Sequence, residues 1–187
     1  MVKFEIISKY ENCGLNLPVR KTACSAGYDF QVAEDIIIPP YANLMEELIS
    51  TRAIFDNTTW ADALETPIDL KDMANLSKAT DAKPTLVPTG IKCKMENNQY
   101  LALSVRSSCP LKYWLVLANS TGIIDADYYN NPDNEGHIFF QIINFSPFPI
   151  MLKKGDTIGQ GIIMNYNITD DDAASGERTG GLGSTGG

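Results

Sequence analysis

The chain has 187 residues, of which 44% are hydrophobic and 20% charged, and a formal net charge of −8. That length suits one domain with room for a modest insertion, and roughly 70% of the unfolded surface can be buried at this size. The negative charge argues against direct nucleic-acid binding and against an anionic membrane surface, so an anionic ligand would need a local site of a few Arg or Lys side chains and backbone amides. Apolar runs such as residues 36–40 and 114–118 are far too short to span a bilayer. The first residues lack the apolar centre of a signal peptide, so the expected location is cytoplasmic. Cys13, Cys24, Cys93 and Cys109 form no CxxC pair and His137 is the sole histidine. No zinc site is expected from that set, and the thiols read as structural or incidental.

In chain order, residues 4–8 read as a first strand and residues 34–39 as another, with Ile36-Ile37-Ile38 stopped by the rigid Pro39-Pro40. From 41 to 84 the periodicity turns helical: Leu44, Leu48 and Phe55 fall near one face, flanked by Met45 and Ile49. Thr66-Pro67-Ile68-Asp69 has the form of a helix start, with Thr66 as N-cap and Pro67 in the first position. Leu70, Met73, Ala74 and Leu76 would supply the apolar stripe. That stripe suits packing first and a docking face for a regulatory protein second. Strand patterns resume over residues 85–95, 100–107, 114–119, 137–145, 150–156 and 157–166. Strands at this density predict an all-β sandwich, jelly roll or barrel over residues 1–166, interrupted by a helical insertion at 41–84. Residues 167–187 turn acidic and then glycine-rich, and are expected to form a flexible C-terminal lid.

Taken singly, each chemical candidate also has a bland reading. Arg106-Ser107-Ser108 suits a phosphate or a surface turn. Asp125 and Asp127 alternate at a strand end, facing a metal or only solvent. Gly155-Asp156 is an ordinary turn. His137, opening a strand, is expected to be structural. The tail carries Arg178, two hydroxyls and closely spaced amides able to approach phosphate oxygens, yet no lysine follows the last glycine as in a Walker loop.

Order and spacing join these pieces. Ala26-Gly27-Tyr28-Asp29-Phe30, Arg106-Ser107-Ser108, residues 119–128 (Asn119-Ser120-Thr121-Gly122-Ile123-Ile124-Asp125-Ala126-Asp127-Tyr128), Gly155-Asp156-Thr157-Ile158-Gly159-Gln160 and the glycine-rich tail resemble, in order, the five motifs of the trimeric dUTPase family. The run from Tyr128 to Ile138 is further similar to enzymes of Gram-positive bacteria and their phages. The resemblance implies a jelly-roll-like distorted β-barrel and a homotrimer whose active sites draw on all three chains. It implies hydrolysis of dUTP to dUMP and pyrophosphate by water attack on the α-phosphorus, with Mg2+ held mainly by triphosphate oxygens and waters.

By the same resemblance Asp125 is the general base, and a carboxylate is ionised at neutral pH and ready to accept a proton. Asp29 would support the Mg2+ through water. Arg106, Ser107 and Gln160 would hold the phosphate chain, with Ser108 beside them in the substrate set. Asn119 and the backbone of Gly122, Ile123 and Ile124 would read uracil, and Tyr128 would lie against deoxyribose and exclude a 2′-hydroxyl. Arg178, Leu182, Gly183, Ser184 and Thr185 would close over the nucleotide. Two departures stand out: Leu182 occupies the place of the family's usual aromatic, and Arg178 stands one residue nearer the glycines than in the commonest form. The related dCTP deaminase would carry further charged residues after Arg-Ser-Ser, where this chain has Cys109-Pro110-Leu111.

Overall fold

The computed structural model describes residues 1–178, 180 and 181. Leu182, Gly183, Ser184 and Thr185 therefore lie outside the described residues. Eleven strands are described: β1 Lys3–Ile6, β2 Tyr28–Gln31, β3 Ile36–Ile38, β4 Thr85–Pro88, β5 Ile91–Lys94, β6 Gln99–Val105, β7 Leu115–Leu117, β8 Gly122–Asp125, β9 Phe139–Asn144, β10 Ile150–Leu152 and β11 Thr157–Asn165. Helices α1 Tyr41–Phe55, α2 Trp60–Glu65 and α3 Leu70–Ala79 stand between β3 and β4, and α4 Ser108–Tyr113 follows β6. No helix of the described residues is long and apolar enough to cross a membrane.

The fold is the jelly-roll-like β architecture expected from the sequence. Its sheets are antiparallel, in the orders β2-β11-β6-β8, β4-β9-β7, β1-β5 and β3-β10; among the described residues they do not join into one closed ring. Burial alternates residue by residue along β9 and β7, as a period-two strand over a core requires. Phe30, Leu101, Leu103, Leu115, Ile138, Phe140, Ile142 and Ile158 form the fully buried centre. Each such side chain contributes about 1.5–3 kcal/mol by leaving water.

The strand expected over residues 85–95 is two strands in different sheets, because Gly90 takes a φ of +70° and turns the chain out of the β4 ladder. Thr66 does not cap α3. It closes α2, and the Asp69 side chain caps α3 by accepting from the Asp72 amide at 2.8 Å. Of the expected α1 face, Leu44 is buried and Leu48 half-buried, whereas Phe55 near the C-terminus is exposed. Arg52 ties α1 to α2 by donating to the Ala63 carbonyl at 2.6 Å, and it pairs with Asp56 at the end of its own helix at 3.3 Å. They join the β core where Pro40 bridges Asn144 and the Tyr41 ring packs on Phe145.

Candidate active site

The middle of β11 sets one half of the site. Asp29 of β2 lies opposite Gln160, with Ser104 of β6 opposite it on the other side. Gln160 stands between Gly159 and Gly161, and the core needs both glycines. A Cβ on Gly159 would fall on the Phe140 ring and 2.7 Å from the Ser104 carbonyl oxygen, and one on Gly161 would lie 2.8 Å from both Leu101 and Phe30. The core therefore closes against bare backbone while the Gln160 side chain serves the opposite face.

Just before, the β2–β11 register shifts between Thr157 and Gly159, a bulge at Ile158. The Ile158 carbonyl accepts from the Arg106 amide at 3.3 Å and from the Cys109 thiol at 3.2 Å. The Cys109 amide in turn donates to the Arg106 carbonyl at 2.8 Å. These bonds pin the Arg106-Ser107 turn beside Gln160. Burial raises the pKa of the Cys109 thiol, which favours a neutral donor.

Asp29, Arg106, Ser107 and Gln160 thus line one cleft of about 240 Å³, whose wall Lys21, Ser25 and Gly27 complete. The Asp29 amide donates to the Val19 carbonyl at 2.9 Å. Asp29 Oδ2 is buried and accepts no hydrogen bond among the described residues, an unsatisfied acceptor whose usual partner is a cation or a water. Ser108 stands apart, at the start of α4, lining another cleft with Tyr113 and Met151.

The other half lies at the end of β8. Asp125, Ala126 and Asp127 line a cleft of about 250 Å³ with Asn97 and Tyr166. Arg178 of the tail reaches this place, its Nη2 2.6 Å from Asp125 Oδ2 and its Nε 2.8 Å from Asp127 Oδ1. The same guanidinium lies 5.6 Å from the centre of the Tyr128 ring. Tyr128 is buried, donates to the His137 carbonyl at 3.0 Å and accepts from Asn134 Nδ2 at 2.8 Å. Burial first, against a smaller opposing pull from Asn134, raises its pKa. The Gly181 amide donates to Asp133 Oδ2 at 2.8 Å. On the preceding turn Asn119 is exposed and its carbonyl accepts from the Thr121 amide at 2.6 Å; Gly122 and Ile124 face the core, and Ile123 faces outward.

One chain does not bring the two halves together. Gln160 pairs with Ser104 of β6, whereas Asp125 pairs with Tyr100 of the same strand. Four residues of strand separate those positions by about 13 Å, and the two lie on opposite sides of β6, about 10 Å apart across the sheet. Each cleft also falls below the roughly 300 Å³ at which pockets for small organic ligands begin. Lys21 and Ser25 carry no sequence signal because they sit in an irregular segment outside any motif, and Asp133, within the run from Tyr128 to Ile138, has no role assigned by that resemblance. His137 is structural as expected: it is buried, and its Nε2 accepts from the Gly90 amide at 2.9 Å.

The dUTPase family model matches residues 68–186. The deoxyuridine 5'-triphosphate nucleotidohydrolase of Lactococcus lactis subsp. lactis strain IL1403 is 37% identical over 185 residues, covering 98% of this chain and 96% of its own. The dUTPase of Streptococcus mutans superposes with a TM-score of 0.64 at 36% identity, over 89% of this chain and 98% of that one. The dUTPase of phage phi11 of S. aureus superposes with a TM-score of 0.59 over 94% and 97%; at 15% identity this is a likeness of fold alone.

Proposed function

Because the chain belongs to the dUTPase family and hydrolyses dUTP to dUMP, we propose that it does so in sites completed between copies of itself, the phosphate cleft of one chain meeting the Asp125 end of another. The observation that carries this reading is the separation of Asp125 from Gln160 along β6. The assembly is a homotrimer, with a mass three times the 20.5 kDa of one chain.

Asp125 takes a proton from the attacking water, the water oxygen bonds to the α-phosphorus, and the bond to the bridging oxygen breaks to release pyrophosphate. Arg106, Ser107 and Gln160 hold the phosphate chain in line and offset its charge. Mg2+ bound to the triphosphate oxygens would add charge neutralisation, with Asp29 as its protein support through water. The bare, buried Asp29 Oδ2 suits that task. Asn119 and the backbone of Gly122, Ile123 and Ile124 read uracil. Tyr128 meets deoxyribose once Arg178 moves from its ring to the terminal phosphate.

Pyrophosphate release from dUTP, UTP and the other deoxynucleotides, with and without Mg2+, tests this account. Turnover confined to dUTP, dependent on Mg2+ and with UTP rejected until Tyr128→Ala, is the expected result. Magnesium-independent turnover would remove the metal role, and an unchanged dUTP to UTP ratio in Tyr128→Ala would remove the sugar role.

A second role, docking of a regulatory protein on the segment 41–84, is supported by Ile54, Phe55, Leu64 and Leu70, all exposed on α1 to α3. Deleting residues 43–83 should spare hydrolysis and abolish that docking. Loss of both together would make the segment part of the fold instead.

A further inference from the structure

The phosphate cleft carries a second cation that belongs to none of the motifs. Lys21 lines it together with Arg106, Gln160 and Asp29. Its loop is built rather than loose. The Val19–Asp29 bridge closes the ends, the Asp29 amide donating to the Val19 carbonyl at 2.9 Å. Inside, Arg20 Nη1 donates to the Ala23 carbonyl at 3.1 Å and the Ser25 carbonyl at 3.0 Å, and Ser25 Oγ donates to the Thr22 carbonyl at 3.0 Å. Arg20 is therefore spent on holding the turn, and Lys21 is the side chain the turn delivers to the cleft. Among the described residues Lys21 makes no ion pair. Asp29 is the cleft's one carboxylate against two cations, a local positive excess in a chain of net charge −8.

We propose that Lys21 is a substrate-positioning residue that grips the terminal phosphates of dUTP in the cleft it shares with Arg106. The proposal rests on reading this cleft as the phosphate site. A flexible ammonium suits phosphates whose orientation changes between bound substrate and leaving pyrophosphate, while the planar Arg106 fixes direction. Lys21 acts on binding of the polyphosphate and not on the proton transfer at Asp125.

Lys21→Met, Lys21→Arg and Arg106→Ala, assayed with dUTP and with inorganic tripolyphosphate as competitor, test it. Lys21→Met should raise KM for dUTP about tenfold, leave kcat within about twofold, and weaken tripolyphosphate inhibition in step. Lys21→Arg should stay within about threefold of the parent, because the charge remains. The dependence of log(kcat/KM) on log salt should be shallower in Lys21→Met than in the parent. A KM for Lys21→Met within twofold of the parent, with Arg106→Ala impaired, would overturn the proposal and leave the phosphate cleft standing. An Arg106→Ala enzyme as active as the parent would overturn the cleft reading itself, and this proposal with it.

Discussion

The guanidinium of Arg178 bridges two carboxylates of its own chain, 2.6 Å from Asp125 and 2.8 Å from Asp127, and its side chain is only 12% exposed. The residue proposed to take the water proton is thus occupied by the residue proposed to bind the terminal phosphate. The two assignments describe successive states: phosphate oxygens compete for the guanidinium, and their success clears both Asp125 and the Tyr128 ring. Both carboxylates are more than half exposed, so solvent screens the pairs and the docked state is a modest one. In ligand-free protein Asp127→Asn should make trypsin cleave after Arg178 about twofold to fivefold faster, as expected for one exposed pair. Cleavage at the parental rate would mean that the pairs do not hold the tail.

Gly159, which faces the core, and Gly27, which faces the Gln160 side chain, separate stability from binding. Gly159→Ala puts a methyl against the Phe140 ring and the Ser104 carbonyl, neither of which can move freely, and should cost about 1–3 kcal/mol in denaturant unfolding. At Gly27 the added methyl meets the Gln160 side chain, whose amide end can swing aside and whose Cβ, at 3.1 Å, must give by a few tenths of an ångström. Gly27→Ala should therefore lose less stability than Gly159→Ala, under about 1 kcal/mol, and lose affinity for dUTP severalfold. Equal stability loss in both variants would contradict this division.

The two variants also mark what the sequence could and could not reveal. Most of the strands, the helical excursion and the order of the motif segments are legible because they follow period, punctuation and local residue type; β2, which carries Asp29, is not among the strands that the sequence predicts. The bulge at Ile158 is not, since it is a register relation between β2 and β11. Helix α4 escaped because six residues containing Pro110 show no helical period, although Pro is tolerated in a first turn. The cap of α3 is not legible because Thr and Asp are both good caps, and only the end of α2 decides between Thr66 and Asp69. Lys21 carries no motif signal, and its place is set by Arg20 folding the turn back on itself.

His137 gives a pH dependence. Burial, with a smaller repulsion from Lys9, pushes its pKa down to about 4 from an ordinary 6.5. Protonation would also turn Nε2 from acceptor to donor against the Gly90 amide. Below pH 6.5 the unfolded chain binds a proton that the folded chain refuses until about pH 4. The contribution is therefore intact above 6.5 and is lost as the pH falls through that window, by up to about 3 kcal/mol. His137→Gln, whose amide oxygen can still accept from Gly90, should flatten this part of the stability profile. Parallel profiles for the variant and the parent would remove His137 as the cause.

The most direct test of the shared site is complementation between two inactive variants. Asp125→Asn keeps the phosphate cleft but loses the base, so alone it should bind dUTP and fail to hydrolyse it; Arg106→Ala keeps the base and loses the grip on phosphate. Unfolded together in equal amounts and refolded, random trimers should place an intact Arg106 against an intact Asp125 in about one site in four, giving about a quarter of the parental dUTPase activity. A mixture as inactive as its two components would contradict the account, because it would mean that Asp125 and Arg106 serve one site from the same chain.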